Sequence, residues 1–235
     1  MTAFAVSLGA LLRSGSAGVG WRGPVGLPEP LTHEAQDLTH AWRIFLVVGA
    51  MVAVFVYLLM AFVVIRYRRR DDRLPEQVHN RIPIEIAYTV LPALIVVGLV
   101  IVTVRAVRDT QHTTANPDVV VDVLGSQWTW TFGYEGGPSG DGSLSGVPEL
   151  VLPVDSTVRF NVRTGDVIHS FWVPGFLYKR DLIPGEIQSF DVTTSDVTGT
   201  FEGRCAEFCG LGHAAMHFVV RIVSQDEFAT WWEQQ

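Results

Sequence analysis

The sequence is poor in cysteine. Cys205 and Cys209 are the only two among 235 residues, which excludes a disulfide framework as the organising principle of the fold. No Cys-x-x-Cys-His pattern occurs, so no c-type haem is attached to this chain. Basic residues are also scarce, and the resulting net charge of −7 argues against a nucleic-acid partner.

Charged residues are absent from two long apolar stretches. The first, 44–65, has 22 residues and the second, 86–104, has 19. At about 1.5 Å per residue, each is long enough to cross a hydrocarbon core of roughly 30 Å. Pro92 interrupts the second run, but membrane helices tolerate proline. The two runs predict an antiparallel transmembrane hairpin within residues 44–108.

The charge distribution predicts how this hairpin is oriented. The link 66–81 contains six arginines, which places it in the cytoplasm of a bacterial cell by the positive-inside rule. The N-terminus and everything after Val104 then lie outside the plasma membrane. The stretch from Asp109 onward has seventeen acidic and six basic residues, so an acidic domain is expected on the periplasmic or extracellular side.

Residues 1–43 are predicted to form a leader and an outer loop. The apolar run 3–12 is too short to span a bilayer. With the small residues at 14–18, it resembles a signal peptide covering 1–18. It lacks the preceding Lys or Arg that signal peptides carry, so a disordered leader is the alternative.

The pattern changes to short β-branched runs after Asp109. Gly- and Pro-rich turns separate the runs, a cadence typical of an antiparallel β-sandwich or barrel. Ser224 and Glu227 form a capping box that predicts a short closing helix. Residues 109–235 are therefore expected to be an all-β domain, with predicted strands at 119–124, 128–132, 150–154, 156–162, 187–194 and 217–223.

A cluster of soft metal ligands lies near the C-terminus. Cys205, Cys209, His213 and Met216 fall within twelve residues, and thiolate and thioether ligands select copper. A single-copper blue site needs only one Cys. Two neighbouring thiolates can bridge two metal ions, each also held by one His, and His169 is the candidate for the second imidazole.

Two other interpretations of this cluster stay open at this point. A Cys pair in an oxidising compartment can form a disulfide. Zinc can be bound by two Cys and two His, but such a zinc site would not use Met216, since thioethers are poor zinc ligands. The full set of residue types favours copper.

The ligand motif resembles a known family. The pattern C-x-E-x-C-x-x-x-H-x-x-M at 205–216, with His169-Ser-Phe and Pro174 upstream, is similar to subunit II of cytochrome c oxidases. The resemblance covers nearly the whole chain, including the transmembrane hairpin and the aromatic strand 127–134. It implies a cupredoxin fold and a dinuclear copper centre, called CuA.

The resemblance also implies roles for the ligands. Both thiolates would bridge the two coppers, each imidazole would bind one copper, and the thioether would be a weak ligand. The Glu207 carbonyl would complete the set, and its carboxylate would contact Mg²⁺ or Mn²⁺ at the boundary with subunit I, since hard carboxylates suit such ions. The implied metal ligands are His169, Cys205, Glu207, Cys209, His213 and Met216.

Two further residues acquire roles by resemblance. Most aromatics of the strand 127–134 are expected in the sandwich core, but Trp128 matches an exposed Trp through which cytochrome c delivers its electron. Ser126 stands where the family usually has His. Glu85, at the cytoplasmic end of the second span, either simply ends that span or, by resemblance, begins a proton channel into subunit I.

The implied function is electron uptake for a respiratory oxidase. Cytochrome c would reduce the copper centre, which passes electrons to haem in subunit I, where oxygen becomes water and protons are pumped; subunit III would join the complex. The acidic domain would suit a basic cytochrome c, or serve solubility alone. Alternatives are the copper domain of a nitrous or nitric oxide reductase, a membrane-anchored copper carrier, and a quinol oxidase subunit, whose family members lack the ligands.

Overall fold

The computed structural model describes residues 26–69, 80–140 and 146–234. They form two compact units. One is Asp37–Asp109, and the other runs from Thr110 to the C-terminal end together with the described residues before Asp37. The predicted signal peptide at 1–18 and most of the predicted cytoplasmic loop lie outside the described residues.

Two long apolar helices dominate the first unit. Helix α1 is His33–Arg66 and α2 is Ile82–Gln111, and both are long and apolar enough to cross a membrane. The predicted spans 44–65 and 86–104 lie inside them. The helices extend beyond the predicted spans because Arg, Gln and Ala at their polar ends are good helix formers. The absence of charged residues identifies only the part of each helix that suits the hydrocarbon core of a membrane.

The second unit is a sandwich of two five-stranded sheets. The first has the order β3-β2-β1-β5-β8 and the second β4-β10-β9-β6-β7. The strands are β1 Val119–Ser126, β2 Thr129–Tyr134, β3 Ser139–Gly140, β4 Glu149–Pro153, β5 Thr157–Thr164, β6 His169–Val173, β7 Tyr178–Leu182, β8 Gln188–Thr193, β9 Gly199–Cys205 and β10 His217–Val223.

The predicted β-sandwich is confirmed, and each of the six predicted strands overlaps an observed one. The strands β3, β6, β7 and β9 were not predicted, because they are short or interrupted by Gly and charged residues. Most ladders are antiparallel, but β1 pairs with β5 and β4 with β10 in parallel. Parallel neighbours require a long connection, and the strand pattern does not reveal which distant strands meet.

Alternating side chains of the two sheets form an aromatic core. Phe171 of β6 stacks on Phe218 of β10 with ring centroids 5.1 Å apart, and Trp130 of β2 meets Phe218 edge-on at 5.4 Å. All three are almost completely buried. Because Trp130 also lies beside His169, with ring centroids 6.3 Å apart, this aromatic layer supports the region where the predicted ligands gather.

Two residues that flank the first unit in the sequence, Glu34 and Thr114, are hydrogen-bonded to the end of β8. The N–H of Thr193 donates to the Glu34 carboxylate at 2.9 Å, and the N–H of Thr114 donates to Asp191 at 2.6 Å. Arg159 holds the same Asp191 carboxylate in a two-pronged ion pair at 2.8 and 2.9 Å. Both chain segments are thus attached to one strand of the sandwich.

The predicted closing helix is also present, as α3, Gln225–Glu233. Its N-cap Ser224 accepts a hydrogen bond from the N–H of Glu227 at 3.3 Å. Trp231 and Trp232 pack on Tyr134, with ring centroids 5.1 and 5.8 Å away. This contact covers one end of the core.

The close pairing of β9 and β10 yields a stability prediction. Gly203 faces Phe218 in this ladder, and a Cβ atom at Gly203 would lie 2.1 Å from Phe218 Cζ. Gly203→Ala is expected to lower the free energy of unfolding of the full chain in detergent by about 1–3 kcal/mol through overpacking, measured by urea denaturation.

The matched control is Gly133→Ala in β2. Its Cβ would make an ordinary 3.5 Å contact with Ser139 Oγ, so its unfolding free energy should stay within about 1 kcal/mol of the parent. Equal unfolding free energies for the two variants would contradict the packing argument.

Candidate metal centre

Three connections meet at one end of the sandwich. They are the β1–β2 turn with Gln127 and Trp128, the turn 165–168 before β6, and the ligand loop, defined here as residues 205–216 between β9 and β10. Hydrogen bonds join all three: Gln127 donates to Asp166 in the second and to Cys209 in the third. The sheet topology therefore gathers residues that lie far apart in the sequence.

The ligand loop is closed at its base by the β9–β10 hairpin. The N–H of Cys205 donates to the Met216 carbonyl at 2.9 Å, directly beside the ladder pair Arg204 and His217. Within the loop, a single 3-10 turn covers His213–Ala215. The closure returns Met216 to the side of the two cysteines although it is distant from Cys205 along the chain.

Strand pairing brings His169 to the same loop. Phe171 of β6 pairs with Cys205 of β9, so the antiparallel register runs His169 alongside the start of the ligand loop. The N–H of Ala206 donates to the Ser170 carbonyl at 3.0 Å and extends this ladder. His169 is completely buried. Gly125 leaves room for its ring, since a Cβ there would lie 3.3 Å from His169 Cγ.

The predicted ligand atoms form one compact cluster. The two Sγ atoms of Cys205 and Cys209 lie 3.9 Å apart. His169 Nδ1 is 3.9 Å from Cys205 Sγ, and His213 Nδ1 is 3.7 Å from Cys209 Sγ. Met216 Sδ is 3.7 Å from Cys209 Sγ. The two sulfurs thus form a central pair with one imidazole at each cysteine.

The backbone of the ligand loop adds one oxygen to this cluster. The Glu207 carbonyl oxygen lies 3.2 Å from Cys205 Sγ. The Glu207 side chain is exposed. Its carboxylate is therefore accessible from outside the domain.

These separations fit metal coordination. A tetrahedral metal ion about 2.3 Å from sulfur and about 2.0 Å from nitrogen keeps its ligand atoms roughly 3.5–3.8 Å apart. His169, Cys205 and Cys209 have ligand atoms within 4.8 Å of one another. The donors are two thiols, two imidazoles and a thioether, a soft set that suits copper better than a hard cation.

Both cysteines are buried, and burial makes the Cys209 thiol a weaker acid by raising its pKa. Cys205 and Cys209 are 6% and 3% exposed. Burial and, to a smaller extent, the neighbouring Cys205 thiol raise the pKa of the Cys209 thiol to about 11. Because a metal ligand must be the thiolate, binding a metal here releases protons. In the structure the two cysteines are free thiols.

Asp166 contacts the predicted ligand His169, a role that was not predicted from the sequence. Its Oδ1 lies 2.8 Å from His169 Nε2, while Oδ2 accepts the N–H of Gln127 at 2.7 Å. Partial burial raises the pKa of Asp166, but hydrogen bonds from the N–H groups of Gln127 and Val167 and from His169 outweigh it and lower the pKa to about 2. The sequence feature that could have indicated this role is an Asp three residues before the predicted ligand His169.

Trp128 is in contact with the ligand loop and with solvent. It lies in the turn before β2 and is 41% exposed, unlike Trp130, Phe132 and Tyr134 farther along the same strand, which are buried. Its indole N–H donates to the Cys209 carbonyl at 3.1 Å. A Cβ at Gly212 would lie 2.5 Å from the indole, so only glycine allows this packing.

Glu85 lies in the first turn of α2. Its carboxylate accepts the backbone N–H of Arg81 at 3.1 Å. This contact is a helix cap. A capping role and the channel role implied by the resemblance are compatible, so the prediction for Glu85 stays a prediction.

The fold and the cluster define a class of protein. Two apolar helices precede a cupredoxin-like β-sandwich whose one end gathers thiol, imidazole and thioether donors. Such a chain is a cupredoxin-like protein with two apolar membrane-type helices and a candidate CuA-type site.

Comparison with known families agrees with this class. Residues 23–105 match the model for the cytochrome c oxidase subunit II transmembrane domain, and residues 138–223 match the model for its periplasmic domain. The chain belongs to the cytochrome c oxidase subunit II family, whose members are subunits of a respiratory oxidoreductase complex.

Individual relatives show the extent of the similarity. The probable cytochrome c oxidase subunit 2 of Streptomyces avermitilis is 34% identical, over 87% of this chain and 76% of that protein. The subunit 2 of Corynebacterium glutamicum is 30% identical, over 87% and 74%. The solved periplasmic domain of subunit II from Bradyrhizobium japonicum is 32% identical, covering 52% of this chain and 96% of that domain, with a TM-score of 0.46.

Proposed function

We propose that this chain is the electron-receiving subunit of a cytochrome c oxidase. It would accept electrons from cytochrome c at a dinuclear CuA centre and pass them to haem in subunit I, where oxygen is reduced and protons are translocated. The observation that carries the proposal is the pair of cysteine sulfurs 3.9 Å apart, with one imidazole beside each.

The ligands of the proposed centre come from two parts of the sandwich. Copper held by these residues would supply one-electron transfer with little reorganisation of its ligands. Met216 and both cysteines are buried, so water is kept away from their donor atoms. The flanking strands hold these donor atoms in place. The proposed ligands are His169, Cys205, Cys209, His213, Met216 and the Glu207 carbonyl.

Trp128 is the proposed point where electrons enter. Its exposed ring can contact a donor protein, and its N–H donates directly to the carbonyl of Cys209. A single hydrogen bond therefore connects the surface to a ligand residue. The acidic excess after Asp109 would attract a basic cytochrome c at low salt.

The other proposed partners follow from position. The Glu207 carboxylate would hold Mg²⁺ or Mn²⁺ at the boundary with subunit I, and loss of bound manganese from the oxidase in Glu207→Gln would test this. Subunit III completes the proposed complex.

The arginine-rich segment 66–81 would face the cytoplasm of a two-pass protein of the bacterial plasma membrane, with the sandwich on the periplasmic side.

Two alternative functions are less well supported. A copper domain of a nitrous or nitric oxide reductase can use a similar ligand set, but the helix pair and the family favour the oxidase. A copper carrier needs an exposed and exchangeable site, whereas His169, Cys209 and Met216 are almost fully buried. Slow loss of copper to a chelator would count against the carrier.

The copper centre can be tested by electron paramagnetic resonance. The full chain in detergent, reduced, loaded with copper and then oxidised, is expected to bind two coppers and to show hyperfine structure from one electron shared by both nuclei. Cys205→Ser, Cys209→Ser and His213→Asn should each abolish that spectrum, because each removes a donor of the cluster.

His217→Asn is the matched control for this experiment. His217 is exposed, four residues beyond His213, and begins β10, so its replacement should leave the shared-electron spectrum intact. A spectrum from a single copper, or a disulfide between the two cysteines that persists after reduction and reloading, would refute the proposed function.

Electron uptake through Trp128 makes a separate prediction. In the assembled oxidase, Trp128→Phe removes the indole N–H that donates to Cys209 and is expected to slow reduction by cytochrome c at least tenfold, measured by stopped flow, while the copper content is retained. Trp42→Phe is the control, since Trp42 is 43% exposed in α1. Equal rates for both variants would remove Trp128 from the path.

The two interpretations of Glu85 can be separated by a pair of variants. Glu85→Gln keeps an oxygen that can cap α2, whereas Glu85→Ala removes both the cap and the carboxylate. If Glu85 supplies protons, both variants should slow oxygen reduction by the assembled enzyme to a similar extent. Full activity in Glu85→Gln with reduced activity in Glu85→Ala would mean that the residue only caps the helix.

A further inference from the structure

A chain of hydrogen bonds joins two of the proposed ligands through residues that bind no metal themselves. His169 Nε2 lies 2.8 Å from Asp166 Oδ1. Asp166 Oδ2 accepts the backbone N–H of Gln127 at 2.7 Å. The side-chain amide of Gln127 then donates to the Cys209 carbonyl at 2.7 Å. The connection therefore runs from His169 to Cys209 without a gap.

The Asp166 end of this chain determines how His169 presents its ring. A carboxylate only accepts hydrogen bonds, so the Nε2 that faces it carries the hydrogen. Nδ1 is then the unprotonated nitrogen, and it faces Cys205 Sγ. Hydrogen bonds of this kind orient ligand imidazoles and keep them in the metal-binding tautomer.

The Gln127 end acts on the ligand loop. Gln127 lies in the turn between β1 and β2 of the first sheet, whereas the ligand loop joins β9 and β10 of the second. Its backbone is held by Asp166 while its side chain holds Cys209, whose carbonyl also accepts the Trp128 N–H. Gln127 therefore connects the two sheets at the point where the ligands converge.

We propose that Asp166 and Gln127 are positioning residues that act as one unit and fix the spacing of His169 and Cys209 before copper binds. The proposal rests on the proposed copper function. Its physical basis is that one Asp166 carboxylate contacts both His169 and the backbone N–H of Gln127. The residue that orients His169 therefore also positions Gln127, whose side chain donates to Cys209. A preformed spacing lowers the ordering cost of binding metal and slows its release.

Two near-isosteric variants test this unit. Asp166→Asn leaves one acceptor oxygen, which can serve His169 or Gln127 but not both. Gln127→Glu keeps the backbone N–H but replaces the amide that donates to Cys209 with a second acceptor. Each variant changes the charge by one, so each needs a control with the same charge change. The control for Asp166→Asn is Asp122→Asn, since the Asp122 carboxylate accepts a hydrogen bond from Asn161. The control for Gln127→Glu is Gln111→Glu, at an exposed position at the end of α2.

The measurement is the rate at which copper leaves the full chain in detergent to an excess of chelator, together with the reduction potential and hyperfine splitting of the bound copper. Asp166→Asn and Gln127→Glu are each expected to speed copper loss roughly 10–100-fold and to shift the potential. Both controls should match the parent. The thermal midpoint of the metal-free variants should stay near that of the parent, which separates positioning from folding.

The double variant decides whether the residues act together. If they form one unit, Asp166→Asn combined with Gln127→Glu should lose copper no more than about threefold faster than the worse single variant. If the double variant loses copper at a rate that multiplies the two single effects, the residues make two independent contacts. If Gln127→Glu loses copper as slowly as Gln111→Glu, Gln127 has no role at the site. Either result overturns this inference while leaving the copper centre itself intact, whereas failure of the parent chain to bind copper overturns both proposals.

Discussion

The hydrogen bond from the Cys205 N–H to the Met216 carbonyl, 2.9 Å long, closes the ligand loop. The loop can be held this way only because β9 and β10 pair in register up to Arg204 and His217. On its other edge β9 pairs with β6, which brings His169 alongside. One strand with two antiparallel neighbours therefore brings His169 together with both ends of the ligand loop.

Burial gives the cluster its chemical character. Two thiols and an imidazole are held in an aromatic and aliphatic environment, where the charged thiolate is disfavoured and the pKa of Cys209 rises. A soft metal ion relieves this cost by replacing the thiol protons. Polar contacts are kept to the periphery of the cluster, where Asp166, Gln127 and Trp128 satisfy the ring nitrogen of His169 and the carbonyl of Cys209.

Much of this arrangement could be predicted from local patterns. Uncharged runs predicted the two apolar helices, and β-branched alternation predicted strands such as β5 and β10. The strands β6 and β9, which contain the proposed ligands His169 and Cys205, were missed because their sequences HSFWV and GTFEGRC do not alternate in the usual way. Their pairing is set by neighbours distant in the chain.

The sequence by itself determined which donor atoms are available, since the types and spacing of Cys205, Cys209, His213 and Met216 already favour copper. It also determined the two apolar helices, because length and absence of charge are local properties. The ligand types also pointed to His169, and the family resemblance pointed to Trp128. Only the tertiary structure gave the distances of these side chains from the cysteines, and only it revealed that Asp166 and Gln127 connect His169 to Cys209. These relations depend on strand order and register, which arise from packing between segments far apart in the chain.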